Sequence, residues 1–113
     1  MSEIDLGKVK EVHQKYKPTL ENGWIEMDRY ANFISKQGNH VIVYFSIKNG
    51  KRDNDTTVFT LPPGCRPSYH IEGMLLQEGT KLAQFFVYRD TGRVAINNVE
   101  TNSIKGGFSF YVD

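Results

Sequence analysis

Three histidines, one cysteine and thirteen carboxylates are the groups from which this 113-residue sequence would have to build a reaction. Nucleophilic hydrolysis needs a base and an orienting acid beside the nucleophile, and neither a G-x-S-x-G elbow nor a cysteine-protease signature occurs. Cys65 stands between Gly64 and Arg66 in a proline-rich turn, which predicts a structural thiol rather than a nucleophile. His13, His40 and His70 lie far apart and lack H-x-x-x-H spacing, so they read as solvated or strand-face residues and no metal site is expected. Glycoside hydrolysis needs two carboxylates flanking one bond. Asp53, Asp55, Glu72, Glu78 and Asp90 supply acids, but no pair is marked, and Lys51 to Asp55 mixes both signs as a solvated loop does. Gly106-Gly107 leads into a strand and not a helix, so it is no phosphate cradle. The expectation is a protein that is not an enzyme and carries no cofactor.

Binding needs no reaction motif. A sugar site pairs an aromatic platform, which stacks on C–H groups, with carboxylate, amide or guanidinium groups that bond hydroxyls in fixed directions. The residues of those types on polar strand faces are His40, Tyr44, Tyr69, His70, Gln84, Tyr88, Arg89 and Asp90. Each also reads as an ordinary half-exposed strand position, and Trp24 beside Ile25 reads as core. Fourteen basic and thirteen acidic residues leave a net charge of +1 with no basic run, so no nucleic-acid partner is expected. No apolar stretch approaches the ~20 residues of a membrane span, so no membrane insertion is expected. Met1-Ser2-Glu3-Ile4-Asp5 lacks the basic and apolar regions of a signal peptide. A lone cysteine permits no internal disulfide. These features suit synthesis in a cytoplasm.

The elements that must position such residues are short. The length suits one domain. Hydrophobic residues make up 39%, so seven Phe, six Tyr and one Trp must carry much of the burial. Ile4, Leu6, Val9, Val12 and Tyr16 give the only helix candidate, weakened by Gly7 and stopped by Pro18. After Pro18 the rhythm becomes period two. Asn22-Gly23 turns into Trp24 to Met27, and a short strand holds Phe33 and Ile34. His40 to Lys48 is the clearest strand, with Val41, Val43, Phe45 and Ile47 on one face. Further strands are Thr56 to Leu61, Tyr69 to Gln77, Lys81 to Tyr88, one holding Val94 and Ile96, and a last one after Gly106-Gly107 with Phe108, Phe110 and Val112. Turns every eight to twelve residues among seven or eight strands predict an all-β fold. It is an antiparallel β-sandwich, jelly-roll-like, with a short N-terminal helical or extended lead at residues 1–18 and a head at 19–113.

Four pieces of the chain also resemble a known family. Thr57-Val58-Phe59-Thr60-Leu61-Pro62-Pro63-Gly64-Cys65-Arg66-Pro67 is similar to its "T-L-P-x-G-[aromatic]-R-P" segment, with Cys65 where the family has an aromatic residue. Leu20-Glu21-Asn22-Gly23-Trp24 resembles "L-x-N-G-W". Gln37 to Val43 resembles "x-G-N-x-V-x-V", and Asp90 to Ile96 resembles "x-x-G-x-V-x-I". The family is the C-terminal head domain of tail-fibre, baseplate and minor structural proteins of phages infecting Gram-positive bacteria. The resemblance implies a receptor-binding head in the virion, at the phage tail tip or baseplate, made in the bacterial cytoplasm. It implies recognition of a host cell-wall saccharide, attachment to other phage tail or baseplate proteins, and a homotrimer. In such a trimer Ile4, Leu6, Val9, Val12 and Tyr16 would meet their copies in a neck. An adaptor that binds other virion proteins is the alternative. The matching residues are structural and carry over no binding residue. The expected ligand site therefore rests on the chemistry of His40, Tyr44, Tyr69, His70, Tyr88, Arg89 and Asp90.

Overall fold

Alternation in His40–Lys48 sets the spine of the structure. Val41, Val43, Phe45 and Ile47 are buried, while Ile42 on the opposite face is 43% exposed. The computed structural model describes residues 13–28, 30–79 and 81–112. Among these the strands are β1 (His13–Tyr16), β2 (Ile25–Glu26), β3 (Phe33–Gln37), β4 (His40–Lys48), β5 (Thr56–Thr60), β6 (Ile71–Gln77), β7 (Leu82–Val87), β8 (Arg93–Asn97) and β9 (Ser103–Tyr111). Every pairing is antiparallel, in the order β1-β3-β4-β9-β6-β7-β8-β5, with β2 added to β4.

The sheet folds over on itself. β9 pairs with β4 along its whole length, from His40↔Tyr111 to Lys48↔Ser103, but meets β6 only at Leu76↔Lys105 and Gln77↔Ile104. Beyond that seam the two halves, β1-β3-β4-β9 and β6-β7-β8-β5, enclose the core as an antiparallel sandwich. The chain crosses between halves from β4 to β5 and returns from β8 to β9.

Aromatic rings bridge the halves. Phe45 of β4 lies edge-on to Phe59 of β5 at 5.4 Å and to Phe85 of β7 at 6.2 Å, and Phe85 meets Phe108 of β9 at 5.2 Å. A bulge between Thr57 and Phe59 lets consecutive Val58 and Phe59 both enter the core. Trp24 is buried and donates its indole N–H to the Lys51 carbonyl at 3.0 Å. The residues before it cover the β5 edge: the Glu21 N–H donates to the Val58 carbonyl at 2.9 Å, and the Asn22 amide to Thr57 O at 2.7 Å.

Two expectations are refined. Gly106 and Gly107 lie inside β9 and not before it. A methyl at Gly106 would sit 2.6 Å from Leu75 Cδ2 and 2.9 Å from Phe45 Cζ, so the glycine makes room for large neighbours rather than turning the chain. Of the helical and extended readings of the lead, His13–Tyr16 takes the extended one and pairs with β3, from His13↔Gln37 to Tyr16↔Ile34. Ile4, Leu6, Val9 and Val12 lie outside the described residues.

Candidate functional site

The seven residues expected at a ligand site divide into two groups on different halves of the sandwich. The larger gathers where β7 turns into β8. Tyr88 follows the last residue of β7, and Arg89 and Asp90 form the turn. Tyr69 and His70 end the loop that enters β6, which pairs with β7 at Ile71↔Val87. His70 and Tyr88 meet edge to face at 5.7 Å. The Arg89 N–H points at His70 Nδ1 at 3.4 Å, its guanidinium donates to the Ser68 carbonyl at 3.3 Å, and Arg89 Nε lies 3.4 Å from Asp90 Oδ1. Tyr69 is 57% exposed beside them.

Sequence reading missed two members of this group. Asp55 accepts the Tyr88 hydroxyl at 2.8 Å and an Arg93 N–H at 3.0 Å. Arg93 also donates to Thr57 Oγ1 at 2.8 Å, and its guanidinium carbon stands 4.9 Å from the Tyr88 ring centroid. Asp55 passed for part of a solvated loop because only the β5–β8 pairing, Thr56↔Ile96, brings it to Tyr88. The hydrogen bond to Asp55 is the main cause that holds the Tyr88 phenol above its usual range, with burial adding to it. The result is a surface on which Tyr69, His70, Arg89 and Asp90 are exposed, residue types that stack on and bond a sugar, around a half-buried Tyr88 whose hydroxyl is given to Asp55.

The second group lies on the outer face of β3-β4-β9. His40 stacks on Tyr111 with centroids 4.6 Å apart and planes 19° apart, and Tyr44 faces Phe33 at 6.3 Å. Ile42 lies exposed between them in β4. Cross-strand registry makes these pairs, His40↔Tyr111 and Phe33↔Tyr44, and such partners cannot be read from one strand.

A cleft of about 370 Å³ opens beside Phe33, lined also by Lys15, Tyr16, Lys17, Tyr30 and Asn32. A different surface, on the outer face of β6 and β7, exposes Met74, Leu76 and Leu82, with Leu76 directly opposite Leu82. Cys65 is buried, and burial pushes its thiol up, opposed in part by the Lys36 ammonium. Among the described residues no group of three His, Cys, Asp or Glu is placed to hold a metal ion.

This architecture defines an all-β antiparallel sandwich with aromatic and polar side chains on its outer surfaces. No family model matches the chain, and no curated protein matches it. Among solved structures it is similar to the receptor binding protein (gp15) of Listeria phage PSA, with a TM-score of 0.72 at 15% identity, over 95% of this chain and 70% of that one. A likeness at that identity establishes a shared fold.

Proposed function

We propose that the chain is a receptor-binding domain of a phage tail or baseplate, recognising a host cell-wall saccharide and catalysing no reaction. The observation that carries this reading is the fold shared with a phage receptor binding protein over 95% of the chain. The Tyr69, His70, Tyr88, Arg89 and Asp90 cluster supports it with chemistry suited to sugars, and is the first site to test. The His40 and Tyr44 face is the second. The domain acts as a homotrimer on the virion, after synthesis in the bacterial cytoplasm. Three linked heads turn weak single contacts into firm adsorption.

The test is adsorption of the purified, fluorescently labelled protein to a panel of Gram-positive cells and to their isolated wall polymers. The expected result is saturable binding to some strains, abolished by Tyr69→Ala or Arg89→Ala at unchanged melting temperature. Absence of binding across the panel refutes the receptor reading. Release of reducing ends from a bound polymer refutes the non-catalytic part. Light scattering should give three chains of 13.0 kDa, about 39 kDa.

A second reading is a structural adaptor that binds other virion proteins. The exposed Met74, Leu76 and Leu82 strip favours it, because contiguous apolar surface marks protein contacts. An adaptor binds partner tail proteins and leaves host cells bare.

A further inference from the structure

The cleft beside Phe33 is assembled by an unusual use of one buried amide. β2 and β3 both pair with β4, at Glu26↔Ile47 and Phe33↔Tyr44, and between them the Ser46 carbonyl accepts the Met27 N–H at 2.9 Å while the Ser46 N–H is left without a strand partner. Asn32, 2% exposed, supplies one: its Oδ1 accepts the Ser46 N–H at 3.0 Å, and its Nδ2 donates to the carbonyls of Ser46 at 3.0 Å and Asp28 at 2.8 Å. The side chain thus substitutes for a strand residue and pins the loop that carries Tyr30. Tyr30 is 78% exposed at the rim, Tyr16 stands 37% exposed, and Phe33 is half-buried.

The polar lining is one-sided. Asn32 spends its amide within the protein. Among the described residues the other polar side chains of the lining are the Lys15 and Lys17 ammoniums and two phenols, and the Glu26 carboxylate pairs with Lys17 beside them. Lys15 Nζ lies 5.5 Å from the Phe33 centroid, while Lys17 meets Glu26 at 2.6 Å with half of its side chain still exposed. A neutral sugar offers mainly hydroxyl donors, which call for carboxylate or amide acceptors. Two ammoniums beside three rings suit a sugar whose ring stacks while a negative substituent meets the cations.

We propose that this cleft is a subsite for an anionic saccharide unit bearing a phosphate or a carboxylate. Its ring packs between Tyr30 and Phe33, and its charge sits by Lys15 and Lys17. The volume falls in the ~300–1,000 Å³ range of small-ligand sites. The inference rests on the receptor reading only for the source of the ligand, the host surface.

The test is an amide chemical-shift titration of the full chain with glucose 6-phosphate, glucuronate, glucose and inorganic phosphate. Saturable shifts at Lys15, Tyr16, Tyr30 and Phe33 with both anionic sugars, and much weaker ones with glucose or phosphate alone, support the site and show which anion it prefers. Lys15→Gln with Lys17→Gln should weaken glucose 6-phosphate binding by roughly tenfold, and Tyr30→Ala should weaken all sugars alike. Both sets of changes lie at the surface, and a melting curve confirms that the variants fold. Shifts elsewhere only, equal affinity for glucose, or indifference to the lysine changes overturns the proposal. Cell adsorption with a silent cleft sinks this inference and spares the receptor reading. A titrating cleft without adsorption does the reverse.

Discussion

Replacing Gly106 by alanine tests why β9 carries two adjacent glycines. The new methyl carbon would lie 2.6 Å from Leu75 Cδ2 and 2.9 Å from Phe45 Cζ. Ordinary carbon contacts are about 3.5–4.0 Å, so each neighbour must yield by roughly 1 Å. Neither can yield freely. Leu75 is fully buried, and the Phe45 ring is held between Phe59 at 5.4 Å and Phe85 at 6.2 Å. Overpacking of this kind costs about 1–3 kcal/mol, offset by the ~0.5–1 kcal/mol that alanine gains over glycine in a strand. The net loss of about 1–2 kcal/mol corresponds to a Tm lower by roughly 5–10 °C in a domain of this size. Thermal unfolding followed by circular dichroism measures it. Leu75→Ala removes the Cδ2 that the methyl meets, so the double variant should lose less than the sum of the singles, by about 0.5 kcal/mol or more. A Gly106→Ala protein that melts with the parent, or strict additivity with Leu75→Ala, would show that Gly106 is not there to make room.

Two further outcomes follow from the titrating groups. Cys65 is buried with its thiol pushed up, so a thiol-specific reagent should label it only after denaturant unfolds the chain, and fast labelling of native protein contradicts the burial. The Tyr88 phenol is held above its ordinary range chiefly by Asp55, which favours the protonated form in the folded state. Its contribution is therefore whole below the unfolded tyrosine value and is lost as pH rises through the folded one. Tyr88→Phe should flatten the alkaline limb of stability against pH, and an unchanged limb refutes the coupling.

Single-strand patterns made much of this fold readable. Alternation in His40–Lys48 gave the buried face of β4, Val41, Val43, Phe45 and Ile47, although Ser46 on the opposite face is buried too, where Asn32 bonds its backbone, and Trp24 is core as its apolar setting implies. Gly106-Gly107 misled because glycine signals both a turn and a tight contact, and only the opposing Phe45 and Leu75 decide between them. The candidate sites were legible by residue type but not by partner. His70, Tyr88, Arg89 and Asp90 stood out as polar or aromatic, and β6–β7 pairing brings them together. Asp55 and Arg93 reach that group only through long-range pairing of β5 with β8, and Tyr111 reaches His40 only through β4 and β9. Tyr30 had no periodic signal at all, since its position depends on Asn32 filling a gap in another strand's ladder.

The last described strand in sequence is also a central one in space. β9 is the member that ties β4 to β6, so the earlier strands make two sheets with no direct ladder between them. A chain emerging from the ribosome can form the β3–β4 hairpin and the β6-β7-β8 meander as soon as each is made. It cannot close the sandwich until residues 103–111 are free to insert. Until then β4 presents a whole unpaired edge and β6 an unpaired end at Leu76 and Gln77, the geometry that invites pairing with a neighbouring chain. Closure by long-range strand insertion is slow. The yield of folded protein should thus depend on how quickly β9 finds its slot, and on what keeps those two edges apart from other chains in the meantime.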